Sequence, residues 1–600
     1  MSVRPETHRA RGGPVAAPRC LPAGDGAVLA EFGSLDETLA LFQALGAWPA
    51  GVEDVVPAAR TLLVLFRPSA LAARDVAAWL RRTAAGLETA AAGGGGASAP
   101  CPDAAARRVE IPVRYTGEDL EAVAERLGLS RAELIERHTG SDYLAAFAGF
   151  APGFVYLAGG DPCFHGMPRR AAPRVRVPAG SVAVAGDFSA VYPSDSPGGW
   201  QLLGVTPLRM WDMDRAEPAL VRPGFRVRFR DLDAAGAAYS LPGAQAADRP
   251  AAGAGAPRSP EPAVMGAGGP ADGRDRLPGG GSSASGRGAP APVAPSACFE
   301  ILAAGLQTLV QDLGRPGLTG MGVSLSGALD RGALRAANRI VGNPADAAVL
   351  ENALGGLRLA CRGRAVVAVT GARAELSLVT AAGIRLPAPP GRPLALDDGD
   401  ELHVGAPSAG VRCYVAVRGG WDVAPVLGSR ATDTLAGIGP APLRPGDRLP
   451  VGTAPGGARP GAVQPGGEAA PAVPGRGDLV TLDIVLGPRA DWFTPAALAL
   501  LAGQEWTVTP QSDRVGMRLS GAEPLARVRQ GELPSEGTVA GAIQVPAGGQ
   551  PVLFLADHPL TGGYPVIGAV VGRDLDRAAQ IPVGARLRFR PAGPFKEILP

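Results

Sequence analysis

The most restrictive feature of this 600-residue sequence is a pattern that it uses twice. Val177-Pro-Ala-Gly180 is followed by Gly198-Gly-Trp200 and then by Pro223-Gly224-Phe-Arg-Val-Arg-Phe229. Near the C-terminus, Val545-Pro-Ala-Gly548 is followed by Gly562-Gly-Tyr564 and then by Val583-Gly584-Ala-Arg-Leu-Arg-Phe589. A turn glycine followed by strict apolar/Arg alternation specifies a β-strand with one buried face. We read each copy as a hairpin that closes a sheet, and the pair as two related β-barrel-like domains. A weaker third copy runs from Gly419-Gly-Trp421 to Pro445-Gly446. The alternative is chance similarity between glycine-rich turns.

Gly (85) and Pro (60) make up about a quarter of the chain, yet 46% of residues are hydrophobic. The excess is uneven. Residues 241–297 hold 22 Gly or Pro in 57, and 451–478 hold 13 in 28, both with little Leu, Ile or Phe. Such segments bury too little apolar surface to order, so the expectation is a linker at 241–297 and a flexible insertion at 451–478. A shorter break lies at 92–102, and 1–19 is an expected disordered N-terminus. Between these breaks lie four expected domains. Residues 20–92 read as a small α+β domain, with βαββα order over 27–82. Residues 106–240 begin with an alternating strand at 108–115 and helices at 119–127 and 131–139. Ser130 and Glu133 there stand at capping-box spacing. Residues 298–450 and 479–595 form the remaining two barrel-like domains, making the chain mainly β with an α+β part.

Charge excludes several functions. Lys+Arg (58) nearly balances Asp+Glu (56), and no region is strongly basic, which argues against a nucleic-acid-binding face. Lys596 is the sole lysine. A Walker A loop needs a lysine within a glycine-rich motif, so none is possible, and a lysine Schiff base is not expected from Lys596, which lies close to the last residue. The six cysteines form no CxxC pair and the five histidines show no ligand spacing, so no metal-binding residues are expected. The N-terminus lacks an apolar signal region. The uncharged stretch 539–556 is broken by Pro546, Gly548, Gly549 and Pro551 and reads as strand–turn–strand rather than a membrane span. The expected location is the cytoplasm, with free thiols.

Polar residues gather in two regions. The first runs from His138 to Trp211 and includes Tyr143, the arginines Arg169, Arg170 and Arg174, Ser181 and Gln201. Its arginines suit a carboxylate or phosphate, and His138 can serve as acid or base near neutrality. A core histidine and solvated loop arginines are the competing readings. The second region holds Asp330, Asn338 and Glu351 as partners of a polar pocket, with Asn343 at a helix C-terminus before Pro344. Farther on, Asp513, Arg514 and Arg518 can clamp an anion, and Glu536 can act as a positioned carboxylate. Structural ion pairs are the alternative for both.

The runs FAGFAPGFVYL, VPAGSVAVAG and YPSDSPGGWQLLG resemble allophanate hydrolase subunit 1, the family of the B component of 5-oxoprolinase and of KipI. The runs GLQTLVQDLGRPG, AANRIVGN, QSDRVGMRL, PSEGTVAGAIQVPAGGQPV and ADHPLTGGYPVIG resemble allophanate hydrolase subunit 2, the family of the C component of 5-oxoprolinase and of KipA. The resemblance covers about residues 20–240 and 298–595, so the chain looks like a fusion of the two. It implies a cyclophilin-like β-barrel at 106–240 and tandem cyclophilin-like barrels in the second half. The matching motif positions are His138, Tyr143, Arg169, Arg170, Arg174, Ser181, Gln201, Gln307, Asp312, Arg315, Asp330, Asn338, Asn343 and Glu351. In the last domain they are Asp513, Arg514, Arg518, Ser535, Glu536, Gln544, Asp557 and Tyr564. Of these, His138, Glu536, Asp330 and Asp513 are the catalytic candidates, and the rest are expected to bind substrate or ATP. At 558 this chain has His where many relatives carry Arg.

The implied function is ATP-dependent opening of 5-oxo-L-proline to L-glutamate. ATP with Mg²⁺ is the implied cofactor. The implied partner is the A component of 5-oxoprolinase, a separate chain of the LamB/YcsF type. The reading allows a homo-oligomer, and no nucleic-acid or membrane partner is expected. Two alternatives carry the same motifs. One is the carboxyltransferase component of a biotin-dependent urea carboxylase-like enzyme, for which this chain lacks a Met-Lys biotinylation site. The other is a histidine-kinase inhibitor-type binding protein, which would capture a kinase without turning over ATP.

Overall fold

Alternation of buried and exposed positions builds four main sheets, one for each expected domain. The computed structural model describes residues 16–92, 107–234, 297–452, 461–465, 472–531 and 533–599. In the first domain β1 (Arg19–Pro22), β2 (Ala27–Glu31), β3 (Val52–Pro57) and β4 (Thr61–Phe66) form an antiparallel sheet in the order β1-β2-β4-β3. Helices α1 (Leu35–Ala44) and α2 (Ala73–Ala92) pack on it through Leu41, Val76 and Leu80, which meet Val28, Leu62 and Val64. Ser34 caps α1 by accepting a hydrogen bond from the Glu37 amide at 3.2 Å. Strand β1 is not evident in the sequence because its four residues are too few for a periodic signal.

The second domain contains β5 (Arg108–Val113), α3 (Leu120–Leu127), α4 (Arg131–Gly140), β6 (Tyr143–Ala148) and β7 (Val155–Ala158). It continues with β8 (Arg174–Val177), β9 (Ser181–Ala185), β10 (Phe188–Val191), β11 (Ser196–Gly198), β12 (Gln201–Val205) and β13 (Arg226–Asp231). Ser130 and Glu133 make the expected capping box at α4. The main sheet runs β12-β9-β10-β7-β6-β13-β5, and an Arg114–Val205 bridge brings the end of β5 back to β12. Strands β8 and β11 form a separate ribbon.

The third domain holds β14 (Cys298–Ala304), β15 (Gln307–Gln311), α5 (Arg331–Val341), β16 (Val349–Ala353) and β17 (Leu357–Arg362). Next come β18 (Ala365–Val379), β19 (Arg385–Ala388), β20 (Leu394–Leu396), β21 (Glu401–Val417) and β22 (Arg448–Pro450). The two long strands coil the sheet: one end of β21 pairs with β17 and the other with β16, while β18 follows it throughout.

The fourth domain is a closed barrel, β23-β30-β27-β28-β25-β24-β31. Its strands are β23 (Leu479–Leu486), β24 (Trp506–Val508), β25 (Gly516–Ser520), β27 (Ala542–Gln544), β28 (Val552–Phe554), β30 (Val566–Val570) and β31 (Arg586–Pro591). A small pair, β26 (Glu536–Gly537) and β29 (Thr561–Gly562), lies outside it, together with helices α6 (Pro495–Gly503) and α7 (Gly572–Ala579). The expected strand–turn–strand at 539–556 is β27 and β28. The fold class is as expected, mainly β with barrel-like sheets in tandem.

The second and fourth domains share one strand order, which explains the repeated motif. In each, the apolar/Arg strand pairs parallel with the domain's first strand and antiparallel with its second. Val227, Phe229, Leu587 and Phe589 fill the barrels. The expected hairpin is therefore corrected: the strand closes the sheet through a non-local parallel pairing. The third copy does not share this topology, because β22 pairs antiparallel with β14, its domain's first strand.

Of the expected disordered N-terminus and linkers, residues 1–15, 93–106 and 241–296 lie outside the described residues. Within the expected flexible insertion 451–478, the described parts dock on the third domain. The Gly461 and Gln464 amides donate to the Gly342 and Ile340 carbonyls at 2.6 and 2.9 Å, and the Gly410 amide donates to the Pro474 carbonyl at 2.7 Å. No helix among the described residues is long and apolar enough to cross a membrane.

If the two barrels are equivalent, Phe229→Ala and Phe589→Ala will each cost about 3–5 kcal/mol, because each empties a fully buried ring position. Urea unfolding followed by fluorescence measures this. A loss below about 1 kcal/mol at either site would refute equal roles for the two strands.

Candidate functional site

The glycine-rich segment 312–330 lies at the junction of all four domains. Thr319 Oγ1 donates to Asp54 Oδ1 of the first domain at 2.9 Å. The Gly153 amide of the second domain donates to the Met321 carbonyl at 3.0 Å. Gly322 approaches the same loop so closely that a β-carbon there would meet the Ala151 carbonyl at 2.6 Å, and its φ of +77° also favours glycine. From the fourth domain, Arg514 Nη2 donates to the Gly327 carbonyl at 2.6 Å, and Ser326 Oγ donates to Asp557 Oδ1 at 2.6 Å.

Arg514 is the charge centre of this junction. Its guanidinium holds both oxygens of Asp557, Nε to Oδ2 at 2.9 Å and Nη2 to Oδ1 at 3.1 Å, and also binds Glu351. All three side chains are buried. Glu351 also accepts from Tyr414 Oη at 2.9 Å and from the Leu329 amide at 3.0 Å, and Tyr414 Oη in turn accepts from the Asp330 amide. Asp557 Oδ2 further accepts from Thr434 Oγ1 at 2.7 Å. The expected anion clamp of Asp513, Arg514 and Arg518 is not formed. Arg514 turns inward, whereas Asp513 and Arg518 are exposed, and Asp513 caps its own turn by accepting from the Val515 and Gly516 amides.

Asp330 caps α5 by accepting from the Ala333 amide at 2.8 Å and is bound by Gln580 Nε2 at 2.8 Å. Burial raises its pKa to about 6. Asn338 and Asn343 tie α5 to the sheet: Asn338 Nδ2 donates to the Ala347 carbonyl and Asn343 Nδ2 to the Val417 carbonyl. Asp312 Oδ1 accepts from Ser429 Oγ at 2.6 Å, and buried Arg315 donates to the Ala431 carbonyl. Gln307 sits half-buried on β15 opposite Ala353. These groups organise the junction.

His138 is corrected as a catalytic candidate. It is completely buried in the second domain, 4.4 Å from Phe229 ring to ring, with Nδ1 2.7 Å from Tyr115 Oη and Nε2 3.3 Å from Ser189 Oγ. Desolvation lowers its pKa to about 3, so it stays neutral and cannot exchange protons with a ligand outside the core. Tyr143 Oη donates to the His138 carbonyl at 3.3 Å and belongs to the same core. Ser181 Oγ donates to the Pro178 carbonyl within its turn. Glu536 is also sequestered: Arg489 grips both its oxygens and reaches Glu31 Oε1 of the first domain at 2.6 Å. Glu536 and Arg489 therefore brace a domain contact.

The three expected arginines separate. Arg170 Nη1 and Arg174 Nη2 both bind Asp119, at 2.7 and 2.8 Å, and Gln201 Nε2 donates to the Pro168 carbonyl. Arg169 instead reaches across to the fourth domain, where a β-carbon on Gly563 would lie 2.5 Å from its Nη1.

That contact belongs to a seam where the motifs of the two halves meet. Tyr156 Oη and Ser535 Oγ lie 2.9 Å apart, and the Phe150 amide donates to Thr561 Oγ1 at 3.0 Å. Gly149 has no room for a side chain, since a β-carbon would lie 2.3 Å from Thr561 Oγ1. Phe150 has φ +63°, an uncommon conformation for a bulky residue that marks the seam as constrained. Gln544 Nε2 donates to the Tyr564 carbonyl at 3.2 Å. Beside these contacts a narrow crevice of about 10 Å³, room for little more than one water, is lined by residues including Ala23, Glu536, Thr538, Gly562 and Tyr564. His558 is buried near the crevice, with Nδ1 3.0 Å from the Pro559 carbonyl, and burial lowers its pKa. Among the described residues no group of three or more His, Cys, Asp or Glu side chains is placed to hold a metal ion.

Sequence reading missed Arg489, Tyr414, Asp433, Gln580 and Arg527. Each stands outside the motif positions, and each has a partner remote in sequence. Asp433 is buried, accepts from Ser324 Oγ at 3.2 Å, and is raised to about 6 by desolvation and then by the Asp557 charge.

Two family descriptions match the chain: "Carboxyltransferase domain, subdomain C and D" over residues 18–221 and "Carboxyltransferase domain, subdomain A and B" over residues 321–591. The C component of 5-oxoprolinase from Escherichia coli (strain K12) is 38% identical over 300 residues, which are 48% of this chain and 90% of that protein. The B component of 5-oxoprolinase from Escherichia coli O157:H7 is 49% identical over 126 residues, which are 20% of this chain and 57% of that protein. Urea amidolyase of Lachancea kluyveri is 33% identical over 312 residues, 49% of this chain but 17% of that protein. The crystal structure of TTHA0988 is 34% identical with a TM-score of 0.70, covering 94% of this chain and 99% of that one.

Two outcomes follow from the junction. Arg514→Ala leaves buried Asp557 without its paired guanidinium and Glu351 with only Arg412 at 3.7 Å, and will cost about 3–5 kcal/mol, read as a loss of thermal stability. Asp433 has a raised pKa, so the folded chain holds a proton that the unfolded chain releases above about pH 4. Its stabilising contribution is full below that pH and is lost as pH rises through about 6. Asp433→Asn removes this titration, so wild type will lose stability relative to the variant as pH rises across this window. Parallel pH–stability curves would refute it.

Proposed function

Because the chain belongs to the family of the carboxyltransferase A/B and C/D domains, joining a half like the 5-oxoprolinase B component to a half like the C component, we propose that it supplies both components of an ATP-dependent 5-oxoprolinase. The observation that carries this reading is the seam. Residues of the B-like half (Phe150, Tyr156, Arg169) meet those of the C-like half (Ser535, Thr561, Gly563), so segments that belong to two separate proteins among the relatives face each other within one chain.

On this reading 5-oxo-L-proline binds where the two halves meet and ATP is its co-substrate. Amide resonance protects the lactam. Transfer of the γ-phosphoryl group to the lactam oxygen breaks the bond to ADP and leaves an activated carbon. Water adds there, the ring C–N bond breaks with the nitrogen taking a proton, and a second water cleaves the resulting acyl phosphate to the carboxylate and free phosphate. The chain's part is to bind and orient the ring, since its buried acids are committed to structural ion pairs and hydrogen bonds. The described residues offer no carboxylate set for Mg²⁺, so no step is drawn through the ion. The A component, of the LamB/YcsF type, is the proposed partner that completes the machinery.

The test combines this chain, the A component, ATP and 5-oxo-L-proline. The expected result is release of glutamate and ADP in equal amounts, absent when either protein is omitted. No glutamate from the complete mixture would sink the reading. The urea amidolyase relative motivates a parallel arm in which urea and a carboxybiotin donor replace 5-oxo-L-proline and ATP. Carboxyl transfer there would favour the carboxyltransferase alternative.

A further inference from the structure

The outer face of the third domain carries a polar groove that shares no residue with the seam. Arg358, Glu375, Ser377, Arg385, His403 and Gly405 line a cavity of about 270 Å³ there. A water molecule takes about 30 Å³ of liquid, so the space suits a small organic molecule rather than a single trapped water. Strand register gathers these groups. Arg358, His403 and Ser377 stand opposite one another on β17, β21 and β18. Buried Ala374 and Leu376 alternate with Glu375 and Ser377, which puts the last two on the outer face, about 7 Å apart along the strand. No side chain fills the groove at Gly405, where a β-carbon would meet the Glu375 carbonyl at 2.9 Å.

The charges of the groove are only partly matched. Arg358 Nη2 donates to Glu401 Oε2 at 3.2 Å, and His403 Nε2 lies 2.7 Å from the same oxygen. The hydrogen bond from His403, and then that from Arg358, hold the Glu401 carboxyl below its usual range, so these three groups form a closed set. Arg385 and Glu375 remain. Arg385 Nη1 donates to Ser377 Oγ at 2.6 Å and its Nη2 lies 3.5 Å from His403 Nδ1, but it has no carboxylate partner among the described residues. Glu375 has no cationic partner among them. Both side chains are exposed, so a ligand can reach them. Ser377 Oγ accepts from Arg385 and keeps its own proton to donate.

We propose that this groove binds a free α-amino acid, with the carboxylate held by Arg385 and the Ser377 hydroxyl and the ammonium held by Glu375. A guanidinium presents a planar fork matched to a carboxylate. The ammonium nitrogen of an α-amino acid lies about 3 Å from its carboxylate oxygens, and a charge-assisted hydrogen bond adds about 2.8 Å at each end, so the two protein groups must stand about 8–9 Å apart. The strand sets Glu375 and the Ser377-anchored guanidinium about 7 Å apart, and side-chain rotation covers the difference. A simple anion would face Glu375 unpaired, and a simple cation would face Arg385; a zwitterion satisfies both. The inference stands apart from the 5-oxoprolinase reading, although the product of that reaction, glutamate, belongs to the same ligand class.

The full chain is titrated, without the A component or ATP, with L-alanine, with propionate (which lacks the ammonium) and with ethylamine (which lacks the carboxylate), by ligand-observed NMR. Wild type is expected to bind L-alanine at least about tenfold more tightly than either fragment, a difference of about 1.4 kcal/mol. Glu375→Gln should abolish the advantage over propionate and keep that over ethylamine, and Arg385→Gln should do the reverse. Arg364→Ala, whose arginine pairs with Asp397 on the surface of the same domain, should leave both ratios unchanged. Thermal melts show whether each variant is folded, and Arg385→Lys, which keeps the charge but loses the fork, gives an intermediate ratio if Arg385→Gln unfolds. No saturable binding of L-alanine, equal affinity for L-alanine and propionate, or ratios untouched in folded variants overturns the proposal. Arg385-dependent binding of propionate with no gain from the ammonium makes the groove a simple anion site and overturns the amino-acid assignment. Glutamate release by the reconstituted mixture is read separately, so the groove and the enzyme reading can each fail alone.

Discussion

The buried guanidinium of Arg514 holds together the part of the molecule on which the seam depends. It satisfies carboxylates from two different chain regions, Asp557 of its own barrel and Glu351 of the neighbouring domain, while also binding the Gly327 carbonyl. Removing three charges from water is expensive, and the cost is offset only when the geometry supplies partners for nearly every donor and acceptor. Tyr414, Ser326, Thr434 and the Leu329 amide complete that set. The network therefore fixes how the last barrel meets the third domain, and through segment 312–330 it fixes where the second domain can dock.

The two equivalent barrels solve docking in related ways. In each, the loop between the second and third strands leaves the barrel and enters the third domain: residues 149–154 meet Met321 and Gly322, and 509–515 carry Arg514 to Glu351 and Gly327. One loop uses backbone and close-approach glycines, the other a charge. The glycine loop needs no ion pair to dock, whereas the charged loop commits its arginine and two carboxylates to the contact. The acidic motif positions Glu351 and Asp557 therefore act as braces.

Much of the fold was legible. The alternation in Val227–Phe229 and Leu587–Phe589 named two buried strand faces, and the Ser130–Glu133 spacing named a helix start, because both signals are local. What escaped was pairing. The parallel partnership of β13 with β5 joins residues more than a hundred positions apart, and nothing local distinguishes it from a hairpin. The candidate site divided along the same line. Motif positions such as Arg169, Ser535, Gln544 and Tyr564 do gather at the seam, while His138 and Glu536 looked reactive by residue type and are enclosed.

By itself the sequence determined the mainly β architecture, the repeat and the family to which the chain belongs, since these reside in periodicity and in ordered motifs. Only the tertiary structure decided which charged groups face one another. Asp119, Glu536 and Asp557 are each matched to arginines that sequence order does not reveal, and that matching withdraws them from chemistry. Whether a side chain is reactive depends on its solvation and its partners, and both are set by contacts between residues far apart along the chain.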